Sequence, residues 1–251
     1  MLPILTTSTL ETVVRCRIAA SSVVRASATD VEAMRRQPLI IGGEKHPNSL
    51  LKHADGQTIT ALKAVLQARE ILGETTLTDW GVIAAPDLFG RVSIAQTVHR
   101  FQKEGAWGVS PHLIPHQSLH AVSGTVSQVL KIHGPNFGIS GGPNGAPDAF
   151  LVAASMMMDG ALPGLWLILS GYETEWIPAA DGNHPAAPTC VAVAWALTPR
   201  DRLPGGLHIS IVGSGKEDGR HLPELDLAAL AEETPRGKWR ISESHRVEIE
   251  P

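Results

Sequence analysis

Gly138-Ile-Ser140-Gly-Gly142 fits the pattern Gly-x-Ser-x-Gly, which in many hydrolases lifts a serine hydroxyl onto a sharp strand-to-helix turn. Such a serine attacks acyl carbons when an acid and a histidine follow it in the chain. Asp181 with His184, or Asp218 with His221, stand in that order. No glycine-rich oxyanion loop precedes the turn. His112, His116 and His120 fall four apart, a spacing that would stack three imidazoles on one helical face for zinc. Pro115 breaks that helix, so these are read as loop histidines and no metal site is expected. Met156-Met157-Met158 offers flexible thioethers that either line an acyl pocket or pack a core. The two cysteines, Cys16 and Cys190, have no motif spacing and lie far from the serine turn, which points to no disulfide framework and a reducing compartment.

The elements that must position this turn can be read from residue spacing. Ala121, Val122, Val126, Val129 and Leu130 recur at helical intervals. Gly134 is expected as the left-handed cap of that helix, and Pro135 forbids its continuation. Phe137 to Ser140 has the length and apolarity of a buried strand. Gly141, Gly142, Pro143 and Gly145 make a tight turn, and a helix apolar on every side begins near Pro147 and runs through Ala149 to Met158. Asp148 near its first turn complements the helix dipole. Earlier, residues 57–72 predict an amphipathic helix stopped by Gly73. Trp80 to Ala85 predicts a strand whose end, Pro86-Asp87, lies where parallel sheets usually bind ligands. Val92 to Lys103 predicts a helix, residues 106–118 an irregular connection, and His208 to Val212 a strand. Leu10 to Ala20 fits either a helix or a strand. Leu225 to Glu233 fits a short acidic helix, and Trp239 to Ile249 a terminal strand or tail.

The run from Val122 to Asn136, VSGTVSQVLKIHGPN, resembles the β-ketoacyl synthase family of the thiolase superfamily. In that family such a helix and Gly-Pro-Ser/Asn lead into the nucleophile strand. The likeness continues through the turn to Gly160 and resumes at Leu165 to Glu173, similar to the family strand that ends in Gly-Gly-x-Glu. It covers roughly residues 80 to 200. It implies an α/β, thiolase-like fold: a mixed five-stranded sheet with helices on both faces, the N-terminal half of a ketosynthase, with the Ala149–Met158 helix innermost. It also implies that Phe137, Gly138, Ile139 and Ser140 pair across a dimer two-fold. Counting on from Gly134-Pro135 places the family's cysteine nucleophile at Pro143, between Gly142 and Asn144. Proline offers neither a nucleophilic atom nor a backbone N–H. The family's catalytic histidines and lysine belong to a C-terminal half that 251 residues do not accommodate.

With 43% hydrophobic residues, the composition is that of a globular protein able to bury a sizeable core. A net charge of −4 gives no electrostatic reason to expect nucleic acid as a partner. The apolar window from Phe150 to Leu169 is interrupted by Asp159, Pro163 and two glycines, so no membrane span is expected; with no secretory leader at the start, the expected location is cytoplasmic. Residues 1–213 are expected to form the ketosynthase-like domain and 214–251 a polar extension.

Three functions follow. The first is a non-condensing ketosynthase-like subunit that dimerises with itself or with a full-length ketosynthase, or meets an acyl carrier protein. The second is a small serine hydrolase or acyltransferase using Ser140. The third is a structural or regulatory homodimer without ligand. No cofactor is expected for any of them.

Overall fold

The computed structural model describes residues 12–41, 43–47, 50–111, 113–139, 142, 145–173, 189–199, 207–213, 221–232 and 235–251. Its elements in chain order begin with β1 (Thr12–Ala26), α1 (Ala28–Arg36), the hairpin of β2 (Ile40–Ile41) and β3 (Glu44–Lys45), and α2 (Gly56–Leu72). They continue with β4 (Gly81–Pro86), α3 (Arg91–Glu104), a 3₁₀ turn (Gly105–Gly108), α4 (Leu113–Gln117) and α5 (His120–Leu130). The central segment holds β5 (Asn136–Gly138), α6 (Gly145–Met157), β6 (Leu165–Tyr172) and β7 (Cys190–Pro199). Last come β8 (His208–Gly213), α7 (Leu227–Leu230), β9 (Gly237–Arg240) and β10 (His245–Glu250).

The main sheet has eight strands in the order β5-β4-β6-β7-β1-β8-β10-β9, not the five expected. Strands β5, β4 and β6 are parallel, while β7 runs against both β6 and β1. The other three strands arise because β8 takes the free edge of β1, and β10 and β9 follow by antiparallel pairing. Residues 237–250, expected in a polar extension, therefore continue this sheet. The ambiguous early segment is strand β1, consistent with its β-branched residues, which favour the pleated surface.

The central strands are buried on both sides and read as unbroken apolar runs, as parallel strands between helices do. Side chains alternate between two cores. Ile83, Leu167, Val193 and Trp195 pack with Phe150 and Ala153 of α6 on one face. Val82, Ala84, Trp166 and Ala194 pack with α2 and α5 on the other. On this second face Ala192, Ala194 and Ala196 meet a helix whose own buried residues include Ala61, Ala64 and Ala68, and small side chains on both surfaces permit a close approach. Helices thus cover both faces, as expected.

Three local expectations are corrected. Helix α5 is capped by Lys131 in the left-handed conformation (φ 54°, ψ 43°), not by Gly134. Helix α6 is an outer layer, not the innermost: Asp148, Ser155 and Met158 are exposed, and Leu151 and Val152 are only half-buried. The C-terminal segment extends the core on the α6 face of the sheet through Leu225, Leu230, Trp239 and Ile241. Strand β5 is the sheet edge, the position that pairing across a two-fold requires, but Phe137 is 48% exposed and not buried.

Gly134 has a different task from the one expected. A β-carbon there would fall on the carbonyl oxygen of Trp80, because the chain entering β5 lies against the start of β4. Two bonds close that approach: His133 N–H donates to Thr78 O at 2.8 Å, and Val82 N–H donates to Pro135 O at 2.8 Å. Gly134→Ala must push these backbones apart, at a cost typical of overpacking, about 1–3 kcal/mol. The expected outcome is a lower urea midpoint than wild type; an unchanged midpoint would mean that the two segments do not touch.

Candidate functional site at the sheet lip

Strands β1, β4, β5 and β6 all point the same way, so their carboxyl ends form one lip of the sheet, where open α/β sheets usually bind ligands. Asp87 follows β4 directly and is anchored through its backbone. Its N–H donates to Ser170 O at 2.7 Å, and its carbonyl accepts from Gln57 Nε2 at 2.8 Å. Ser170 Oγ in turn donates to Gln57 Oε1 at 3.0 Å. Gln57 and Ser170 are each 1% exposed, so this small network satisfies polar groups that would otherwise be costly to bury. The next residue, Leu88, has φ 47°, a left-handed conformation that a branched side chain rarely adopts. Backbone outliers of this kind cluster at functional sites.

The Asp87 carboxyl group meets the first turn of α6. The Gly145 N–H donates to it, and a β-carbon at Gly145 would stand 3.1 Å from Asp87 Oδ1. Gly171 closes the other side, its absent β-carbon leaving 3.2 Å to Asp87 Cβ. Removal from water raises the Asp87 pKa to about 7. The Gly145 N–H opposes that rise, and the neighbouring Asp226 adds to it. The lip therefore holds a carboxyl group that exchanges its proton near neutrality beside the opening of a 13-residue helix. Such a group can donate or accept a hydrogen bond at physiological pH.

On the α2 side of the lip a cavity of about 380 Å³ is lined by Asp55, Tyr172, Cys190, Ser93 and Gln117 among others. Asp55 caps α2 by accepting from Gln57 N–H at 2.8 Å. Burial pushes its carboxyl pKa upward, against the opposing effects of that bond and of Arg35. The Cys190 thiol is pushed up to about 12 by burial, and Cys16, within β1, to about 11. Both are protonated at neutral pH and are poor nucleophiles there.

Of the residues singled out in the sequence, Gly142 lies in a bend before α6 and Gly145 opens the helix. Phe137 and Gly138 form the edge strand and Ile139 leaves it. Ile139 N–H donates to Ala84 O at 2.8 Å. Ser140, Gly141, Pro143 and Asn144 lie outside the described residues, as do His112, Asp181, His184 and Asp218. Met157 packs in the core. Met156 lies against Gly81 at the opposite end of α6 from the turn, about 18 Å along a helix of this length. His116 belongs to α4 and His120 to α5, and among the described residues no His, Cys, Asp or Glu cluster could hold a metal ion. Among the described residues, no helix is long and apolar enough to cross a membrane. Sequence reasoning marked Asp87 as a lip residue but missed Gln57, Ser170 and Asp55. An acidic residue just before a helix is a cap signal and would have found Asp55. Nothing local marks the Gln57–Ser170 pair, whose members are 113 residues apart.

No protein-family model matches the chain, and no curated protein does. Solved structures do. The ketosynthase ApeO in complex with its chain length factor ApeC, from Xenorhabdus doucetiae, includes a chain matched at TM-score 0.55 and 14% identity, over 93% of this chain and 98% of that one. A β-ketoacyl synthase from Burkholderia phymatum matches at TM-score 0.56 and 14% identity, over 86% of this chain and 68% of that one. The type II polyketide assembly AntDE:AntF, an acyl-carrier protein in complex with its ketosynthase bound to the hexaketide, matches at TM-score 0.53 and 16% identity. That match covers 74% of this chain, which spans less than two thirds, 63%, of the other. The fold is thus the thiolase-like fold of ketosynthases.

The lip carboxyl gives a pH test. The folded state holds the Asp87 proton more tightly than the unfolded chain does, whose pKa is near the ordinary 3.8. Its contribution to stability is complete below about pH 4 and is lost as pH rises through about 7. Asp87→Asn keeps a cap for Gly145 N–H and removes the titration. Between pH 4.5 and 7.5 the wild-type urea midpoint should therefore fall relative to that of the variant, and parallel profiles would contradict the assignment.

Proposed function

We propose that this protein is a non-condensing ketosynthase-like subunit. It works in the cytoplasm beside an active ketosynthase or an acyl carrier protein in fatty-acid or polyketide assembly. The observation that carries this reading is the near end-to-end match to one chain of a ketosynthase–chain length factor complex, since both chains are covered almost completely. The chemistry agrees. Proline occupies position 143, where the family resemblance calls for the nucleophile, and both cysteines are buried, protonated and remote in sequence.

Exposed apolar surface supports the association. Ile94, Val98 and Phe101 recur at helical spacing on α3 and are 44%, 51% and 53% exposed, while Trp107 in the following turn is 99% exposed. Helix α3 has no buried residue of its own among those described. Phe137 stands exposed on β5, the edge strand of the sheet among the described residues. Surfaces of this kind mark interaction sites, and an open strand edge invites pairing.

Two outcomes are expected. Incubation with acyl- or malonyl-carrier thioesters should leave the intact mass unchanged and release no carbon dioxide. An acyl adduct on the turn from 140 to 145 would overturn the non-condensing role, and labelling of Ser140 by a fluorophosphonate would favour the hydrolase.

Light scattering at micromolar concentration should find a dimer, with itself or with an added ketosynthase, that survives high salt because the interface is apolar. Obligate interfaces of this type bury about 2,000 Å² or more. Phe137→Asp should give monomer or aggregate. A stable wild-type monomer that also ignores any ketosynthase would refute the association.

A further inference from the structure

Away from the lip, on the outer face of α2, a groove of about 270 Å³ opens between α1, the β2–β3 hairpin and α2. Ile59, Leu62, Lys63, Leu66, Arg69 and Glu70 line it from α2. Their spacing of three and four places them on one stripe of the helix. From Ile59 to Arg69 that stripe runs about 15 Å at 1.5 Å per residue. Its chemistry changes along the axis: Ile59, Leu62 and Leu66 are aliphatic, and the charges of Arg69 and Glu70 gather at the carboxyl end. Met34 of α1 and Leu51 add aliphatic wall, and Leu39 and Ile41 of the hairpin segment supply more.

These walls are held in place from outside the groove. Arg35 Nη1 donates to Leu51 O and Ala54 O, each at 2.8 Å, fastening the turn before α2 to α1. His46 N–H donates to Leu39 O at 2.8 Å across the hairpin. Lys131 Nζ pairs with Glu44 Oε2 at 2.8 Å, tying the hairpin to the end of α5. The groove is therefore preformed, as small-molecule sites usually are.

Water is a poor occupant of its aliphatic part. An ordered water needs two to four polar partners, and Ile59, Leu62, Leu66, Leu39 and Leu51 offer no side-chain partner there. Aliphatic carbon is a better one, because its transfer out of water is favourable. Arg69 is half-buried at the polar end, and exposed Lys63 starts from the middle of the stripe, about 9 Å before it along the helix. Arg69 spends one guanidinium nitrogen on Thr75 O at 3.1 Å and keeps other donors. With Glu70 beside them, the two cations leave one net positive charge, which suits a single carboxylate better than a multiply charged headgroup.

We propose that this groove binds a medium-chain carboxylate, with its aliphatic tail of roughly nine carbons, at about the 30 Å³ that a water occupies in the liquid, laid along Ile59, Leu62 and Leu66. Its headgroup lies at Lys63 and Arg69. This ligand is independent of the partner surfaces on α3 and β5, and the site stands whether or not the chain pairs with a ketosynthase.

Calorimetric titration of the full chain with decanoate tests it, with decyltrimethylammonium as the opposite-headed control. Decanoate should bind saturably at one site, and the ammonium at least tenfold more weakly. Leu66→Trp, at a half-buried wall position, should weaken decanoate at least tenfold. Lys63→Glu, on an exposed position that cannot unfold the helix, should weaken decanoate tenfold and leave the ammonium as tight or tighter. Absence of saturable decanoate binding, equal affinity for the two amphiphiles, or no loss in either folded variant would overturn the proposal.

Discussion

The structure depends on a close approach of backbones around strand β4. At Gly134 and Gly138 the chain passes so near the Trp80 carbonyl and the Leu119 carbonyl that no β-carbon fits. These two glycines bracket β5 and seat it between the start of β4 and the start of α5. Hydrogen bonds from Val82 to Pro135 and from Ile139 to Ala84 lock its register. Moving β5 outward would break that register and shift the turn that leads to α6. Gly164 serves the neighbouring strand in the same way, because a β-carbon there would enter the Trp80 ring. Edge strand β5 and the entry to β6 thus take their positions from contacts that only glycine permits.

A second constraint acts at the lip. Gln57, Ser170 and the backbone of Asp87 bind one another between α2, β6 and β4, out of contact with water. An apolar replacement at Gln57 would strand Ser170 Oγ and the Asp87 carbonyl, and one at Ser170 would strand Gln57 Oε1, so the network specifies how the three elements meet. It also fixes the direction in which Asp87 faces. Its carboxyl group lies against Gly145 and Gly171, where burial and Asp226 raise its proton affinity. The electrostatics of the lip follow from packing that begins at residue 57, far from the turn in sequence.

The sheet is wider than local signals suggested. Strands β8, β10 and β9 extend it past β1, and Leu225, Leu230 and Trp239 widen the core on the α6 side. This covering is uneven. Leu151 and Val152 of α6 stay half-buried, and the stripe of α3 together with Phe137 stays exposed. Apolar surface is therefore concentrated on α3, at the β5 edge and on the outer side of α6. Arg35 holds the turn before α2, and Lys131 pairs with Glu44 of the hairpin.

The sequence by itself determined the elements whose signals are local. The α2 and α5 helices and the β4 and β6 strands could be read from periodicity, glycine and proline. The run through Gly134-Pro135 pointed to the fold. Tertiary structure alone decided the rest. Strands near β8 and β10 were expected, but the length of the sheet was illegible because the pairing of β8 with β1 and of β10 with β8 joins segments distant in the chain. The exposure of Phe137 was only partly legible: residues 137–140 read locally as a buried strand, and only the resemblance, through its two-fold pairing, called for an edge there. Gly134 was read as a helix cap because a glycine after a helix usually is one. Its use as a passage for the Trp80 carbonyl depends on a contact 54 residues away in the chain. Pairings such as Gln57 with Ser170 carry no local periodicity, since side-chain geometry sets them only after the layers have packed.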